Sequence, residues 1–202
     1  MIADLLSAAG YTVGLSSSVY YQVGAERWLN ESHMTMPGRF GLQRLLRRMI
    51  DAGCTYAVIE VSSEGLVQSR HLGIDFDVAV FTNLSPEHLK AHGTFERYRQ
   101  AKEKLFQQII KGGDKHGPDG APVKKISVVN LDDASAEHFL RYWAEEKYGV
   151  TMRAGVSAPD PDPARPDPEL PRAALDFESA RWPLHHAQPA RRRRRARAYP
   201  GL

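Results

Sequence analysis

Lys102 stands where a charge is least expected. Phe95, Tyr98, Lys102, Leu105 and Ile109 are spaced alternately by three and four residues, the period of one helical face. A lysine on such a face either snorkels, its stem packed and its ammonium in water, or keeps a partly buried amine. Desolvation disfavours the charged form of a buried amine and lowers its pKa. A neutral amine can add carbon dioxide and become a carbamate, an oxygen-donor anion suited to magnesium.

Other polar groups gather where apolar runs end. Tyr56–Val61 ends in Glu60, Ser62 and Ser63. Val78–Phe81 ends in Thr82, Asn83 and Ser85, with His88 one turn on. Ile126–Val129 ends in Asn130, Asp132 and Asp133. In an open parallel sheet, ligands bind outside the carboxyl ends of the strands. Carboxylates and a histidine converging there would suit a hard divalent cation holding a phosphate chain. The alternative for Asp132 and Asp133 is that they cap the turns that follow. Glu60 is a poor cap and sits at the end of a buried run, so the site reading is stronger there.

The elements that would position these groups can be read from periodicity. Ile2, Leu5, Leu6 and Ala9 follow a helical spacing that Gly10 stops. Tyr11 to Leu15 reads as a strand. Leu42, Leu45, Leu46 and Met49 mark a second helix, with Arg44, Arg47 and Arg48 turned outward. Ser85-Pro86-Glu87 reads as an N-cap, a proline at the first helical position and an acidic first turn. Helices are expected over Phe95–Ile110 and Ala134–Lys147. Short continuous apolar runs between helices predict an α/β fold: a mostly parallel sheet with helices on both faces. Cys54 reads as a small core residue, and His92 as a packing or capping group.

The 202 residues are enough for one domain with a core and some chain left over. No window approaches eighteen apolar residues, which excludes a transmembrane helix, and no membrane partner is expected. A single cysteine excludes an internal disulfide framework. The N-terminus has no secretory pattern, so a cytoplasmic location is expected. The net charge of +3 comes entirely from residues 157–202; residues 1–156 carry 18 basic and 18 acidic side chains. The chain therefore divides into a folded body, 1–156, and a tail, 157–202. Nine of the 13 prolines and the run Arg191–Arg195 lie in that tail, and all eight lysines precede it. Such a composition predicts disorder. The loss of lysine is consistent with translation out of frame from GC-rich DNA. The competing reading is a non-catalytic protein that uses a basic arm on nucleic acid. No aromatic interleaving accompanies the arginines, so nucleic acid is not the expected partner.

Four motifs and a further loop carry a resemblance. Glu60-Val61-Ser62-Ser63-Glu64-Gly65-Leu66, followed by Gln68 and Arg70, resembles the EVSSHGL…R segment of the Mur ligases, most closely the UDP-N-acetylmuramoyl-tripeptide synthetase (MurE) type. Val80-Phe81-Thr82-Asn83-Leu84-Ser85-Pro86-Glu87-His88-Leu89 is similar to VFTNLSxDHLD. Ala91-His92-Gly93-Thr94 through Lys102 resembles HGTxExYxxAK, and Val129-Asn130-Leu131-Asp132-Asp133 resembles VxNxDD. Thr35-Met36-Pro37 with Leu42-Gln43 looks like the substrate loop TTPxxxxLQ. The resemblance implies the P-loop-NTPase-like central domain of an ATP-dependent amide ligase of peptidoglycan-precursor synthesis. That enzyme would add an amino acid to UDP-MurNAc-dipeptide through an acyl phosphate. It further implies Glu60, His88 and a carbamylated Lys102 as magnesium ligands and catalytic groups. Asn83 would lie by the ATP; Thr35, Ser62, Gln68 and Arg70 would hold the UDP-MurNAc-peptide. A monomer is expected.

The departures are specific. Met36 replaces a threonine, Glu64 a histidine and Glu87 an aspartate. The family's GTxGKTT phosphate loop is absent from the sequence, as are the uridine-binding and C-terminal domains. The expectation is therefore a central-domain fragment, incomplete at its N-terminus and inactive alone. A related ligase of the folylpolyglutamate or cyanophycin type is the alternative; Ser62-Ser63 with Gln68 and Arg70 favours the muramyl branch.

Overall fold

The computed structural model describes residues 1–32, 34–86, 89–117 and 119–152. His33, Glu87, His88, Pro118 and the whole 157–202 tail lie outside the described residues.

Helix α1 (Ile2–Ala8) leads to strand β1 (Val13–Ser16), then to a hairpin of β2 (Tyr20–Val23) and β3 (Glu26–Leu29). Helix α2 (Arg39–Asp51), strand β4 (Tyr56–Ile59) and the short helix α3 (Ser63–Val67) follow. Next come β5 (Val78–Phe81), α4 (Leu89–His92), α5 (Phe95–Lys111), β6 (Ile126–Asn130), α6 (Ala136–Leu140) and β7 (Glu146–Val150). The class is α/β, as expected. The described strands form two ladders rather than one sheet. The first has the order β3-β2-β1-β4, with β1 parallel to β4; the second, β5-β6-β7, is wholly parallel.

Two differences from the sequence reading have local causes. The β2–β3 hairpin was not expected. Its two-residue turn, Gly24-Ala25, places Gly24 at φ 59°, where a residue without Cβ is unstrained. The expected helix over 134–147 stops at Leu140, and the chain turns back as β7. An edge of β6 is available there, and β7 pairs along it from Ile126↔Glu146 to Asn130↔Val150. Lys147 then becomes buried, its ammonium donating to the Leu140 carbonyl (3.1 Å) at the end of α6.

The second ladder packs on α5 and α6 through Phe81, Phe106, Ile109, Val129 and Phe139. Phe139 stacks on Phe81 at 3.8 Å between ring centroids. Helix α2 buries Leu42, Leu45 and Met49, as its spacing predicts. A Cβ at Gly14 of β1 would lie 2.3 Å from the Met49 sulfur, so glycine permits this approach. The buried face of α5 is rotated from the predicted stripe. Tyr98, Ala101, Phe106 and Ile109 are its centre, while Phe95 is exposed. Lys102 lies at the edge of that face, half-buried. Glu103 is buried where the Tyr142 hydroxyl donates to its carboxylate (3.0 Å) and Arg99 Nε forms an ion pair with it (3.3 Å).

Candidate active site

Strands β1 and β4 run parallel, so their carboxyl ends lie side by side. The ladder extends one residue further, the Glu60 amide donating to the Ser16 carbonyl at 2.7 Å. Ser18, just beyond β1, donates its amide to Glu60 Oε2 (2.8 Å), and its hydroxyl lies 2.9 and 3.0 Å from the two carboxylate oxygens. Glu60 is thus held by a turn 42 residues away.

Ser62 caps α3, its hydroxyl accepting from the Gly65 amide at 3.1 Å. The next residue, Ser63, is buried and pairs with His92 Nε2 at 2.9 Å. The His92 ring lies 5.1 Å from the Tyr98 ring, and Lys102 Nζ sits 5.4 Å from the centre of the same Tyr98 ring. Helix α5 is set in place by Thr94, which accepts from the Arg97 amide at 3.2 Å. Packing of α3 against α5 brings these groups together.

The result is a cavity of about 440 Å³ whose walls include Thr35, Glu60, Ser62, Arg70, His92 and Lys102. Burial pushes the Lys102 amine below the usual lysine range, and the charges of Asp133 and Glu60 partly oppose that shift. An amine that deprotonates more readily is the form able to take up carbon dioxide.

The expected site residues fall into three groups. Glu60, Lys102, Ser62, Thr35 and Arg70 line the one cavity. Gln68 and Asn83 do not line it. Gln68 is exposed and accepts from Arg70 Nε (2.9 Å) and Nη2 (2.6 Å), while Asn83 is exposed in the loop after β5. His88 lies outside the described residues. Arg70 is also engaged internally, its Nη1 donating to the Met36 carbonyl. It therefore braces the 34–36 loop against α3 while lining the cavity. Asn30 braces the same loop from the other side, donating to the carbonyls of Ser17 (2.8 Å) and Met34 (2.9 Å).

The carboxylates after β6 act as turn brackets rather than open ligands. Asp133 accepts from the amides of Leu84 (2.7 Å) and Ser135 (2.8 Å). Asp132 accepts from the Thr151 hydroxyl (2.7 Å) and the Met152 amide (2.8 Å). Met36, in the position of a family threonine, is fully buried against Leu42 and Ile74. Sequence reasoning missed Ser18 and Tyr98 as neighbours of the site, and read His92 as a packing or capping group. The signal for His92 was its motif; nothing in the sequence linked Ser18 to Glu60.

Among the described residues, no three His, Cys, Asp or Glu side chains form a ready metal cage. Magnesium is commonly held by one or two carboxylates, with phosphates and waters completing its octahedron. Glu60 and a carbamate on Lys102 would supply such a donor set, so the residues present fit that ion. No helix among the described residues is long and apolar enough to cross a membrane.

The fold is an α/β domain with a polar cavity beside its strand ends, the place where open α/β sheets commonly take ligands. Comparison with known sequences narrows it: residues 1–165 match the family described as Mur ligase middle domain, and the chain belongs to that family. It is 42% identical over 161 residues to a UDP-N-acetylmuramyl-tripeptide synthetase of Roseiflexus sp. (strain RS-1), covering 77% of this chain and 31% of the relative. It is 38% identical over 160 residues to a UDP-N-acetylmuramoyl-L-alanyl-D-glutamate--2,6-diaminopimelate ligase of Halalkalibacterium halodurans, covering 78% and 31%. A solved structure of a ligase of the latter name superposes with a TM-score of 0.57 at 28% identity, over 76% of this chain and 29% of that one. The chain thus spans about a third of the length of the curated relatives it matches.

Proposed function

We propose that this chain supplies the ion-and-nucleotide face of an ATP-dependent amide ligase. The reaction joins an amino acid to UDP-MurNAc-dipeptide in peptidoglycan-precursor synthesis, through an acyl phosphate. The observation that carries this reading is the shared cavity of Glu60 and Lys102, which come from different elements and meet beside the substrate-loop residue Thr35.

In this reading Glu60, His88 and carbamylated Lys102 would hold magnesium, which would supply neutralisation of phosphate charge for phosphoryl transfer. The chain's own part is positional. Burial favours the neutral Lys102 amine; its nitrogen lone pair attacks carbon dioxide, and one proton leaves to water as the carbamate forms. Thr35, Ser62 and Arg70 hold the UDP-MurNAc-peptide directly. Gln68 acts on it through Arg70, whose guanidinium is a charge-assisted donor to anionic groups. Asn83 lies by the nucleotide. No Gly-Lys-Thr phosphate loop occurs in the 202 residues, so the chain alone is expected to bind ATP weakly and to show no ligase turnover.

The test uses the 202-residue chain in ¹³C-bicarbonate. A carbamate resonance is expected in the wild type and absent in Lys102→Ala. No wild-type resonance, or one that survives the substitution, overturns the role given to Lys102. Measured turnover with ATP, UDP-MurNAc-dipeptide and an amino acid overturns the expected inactivity.

A further inference from the structure

The turn after β1 is built more firmly than a strand connection needs. The Ser17 hydroxyl donates to the Tyr20 carbonyl (2.9 Å) and accepts from the Tyr20 amide (3.0 Å). The Asn30 side chain holds the Ser17 carbonyl from across the hairpin. These bonds fix the backbone at Ser18, and Ser18 then directs two donors into one carboxylate. Its amide reaches Glu60 Oε2 at 2.8 Å, and its hydroxyl shares a proton between Oε2 at 2.9 Å and Oε1 at 3.0 Å. Glu60 is exposed at the end of β4 and would otherwise sample several rotamers. An ionised carboxylate offers about four acceptor positions, so Ser18 leaves some of them open to another partner.

We propose that Ser18 is a positioning residue, whose hydroxyl orients the Glu60 carboxylate for a divalent cation in the cavity shared with Lys102. This rests on the reading of Glu60 as a cation ligand. Groups that hydrogen-bond a metal ligand set its orientation and its basicity, and their loss weakens metal binding. The two donors of Ser18 do separable work. The amide bond fastens the turn to β4 whatever the side chain is. The hydroxyl adds no further link between elements and restrains only the carboxylate.

That difference gives the test. Threonine and valine have nearly the same volume and differ by the hydroxyl. Manganese uptake by the full 202-residue chain is measured from the loss of the free-ion EPR signal, with thermal unfolding recorded on each variant. Ser18→Thr is expected to bind manganese like the wild type, and Ser18→Val about tenfold more weakly, at unchanged melting temperature. Ser18→Ala replaces Ser18→Val if the branched side chain prevents folding. Glu60→Gln is expected to lose uptake. Equal affinity of the Val and Thr variants, while Glu60→Gln loses uptake, overturns the role of Ser18 and leaves the cation reading standing. Equal affinity with a lower melting temperature in the Val variant overturns it likewise, in favour of a structural staple. Uptake that survives Glu60→Gln, or no uptake by the wild type in the millimolar range, overturns both.

Discussion

Replacing Gly65 by alanine sets two effects of opposite sign against each other. Gly65 lies inside α3, where alanine gains about 1 kcal/mol of helix propensity over glycine. A Cβ there would stand 2.7 Å from Met36 Sδ and 3.0 Å from Ser62 Oγ. Met36 has no exposed surface and is enclosed by Leu42 and Ile74, so its sulfur cannot swing away without moving the core. Overpacking of this kind costs about 1–3 kcal/mol. Disturbing the Ser62 cap adds up to about 1 kcal/mol. The net expectation is a loss of about 1–2 kcal/mol. Met36→Ala alone removes three heavy atoms from a filled site and should cost about 3 kcal/mol. In the double variant the new methyl occupies space that the sulfur has left. The two losses should then fall short of adding by about 1–1.5 kcal/mol, as expected for residues in contact. Urea unfolding of the four proteins measures this, provided the slope is constant across the set. Additivity within about 0.5 kcal/mol, or a Gly65→Ala protein more stable than wild type, would refute the packing argument.

Three further outcomes are expected. Thr94→Ala should lower stability by about 1 kcal/mol and Thr94→Ser should restore it, because the hydroxyl caps α5 through the Arg97 amide; urea midpoints report both. Asp77→Ala should cost about 3 kcal/mol, since it strips the buried Lys125 of its ion pair at 2.8 Å, and adding Lys125→Met should recover part of the loss. His71 is buried, and desolvation with the charges of Lys104, Arg39 and Lys111 holds its pKa below the ordinary value of 6.5. The unfolded ring therefore takes up its proton first, and stability should fall as pH drops below about 6.5 towards the folded-state pKa. His71→Phe should flatten that part of the pH profile of the urea midpoint.

Much of the scaffold was legible because its signals are local. The stripe Leu42, Leu45, Met49 defines α2 within one helix, and the apolar runs 56–61, 78–81 and 126–129 each contain a strand. The reading failed where a distant partner overrode local preference. Residues 134–147 carry enough Ala, Glu and Leu to look helical, yet the open edge of β6 draws Glu146–Val150 into a strand. The α5 stripe was rotated for a similar reason. Arg99 and Tyr142 let Glu103 be buried, which no periodicity counts.

The sequence by itself determined the kinds of chemistry available. It placed an amine near an apolar face at Lys102, a carboxylate at the end of a strand at Glu60, and motifs in the order of one ligase family. Those follow from spacing along a chain, which is local information. Only the tertiary structure decided which groups share a cavity. It joined Glu60 to Lys102 and to the Ser18 hydroxyl, spent Asp132 and Asp133 on turns, and turned Arg70 into a brace for the 34–36 loop. Each of these depends on segments apart in the chain being brought together, Glu60 and Lys102 around one cavity and the others within hydrogen-bond distance, and that approach is set by strand pairing and helix packing, not by the order of residues.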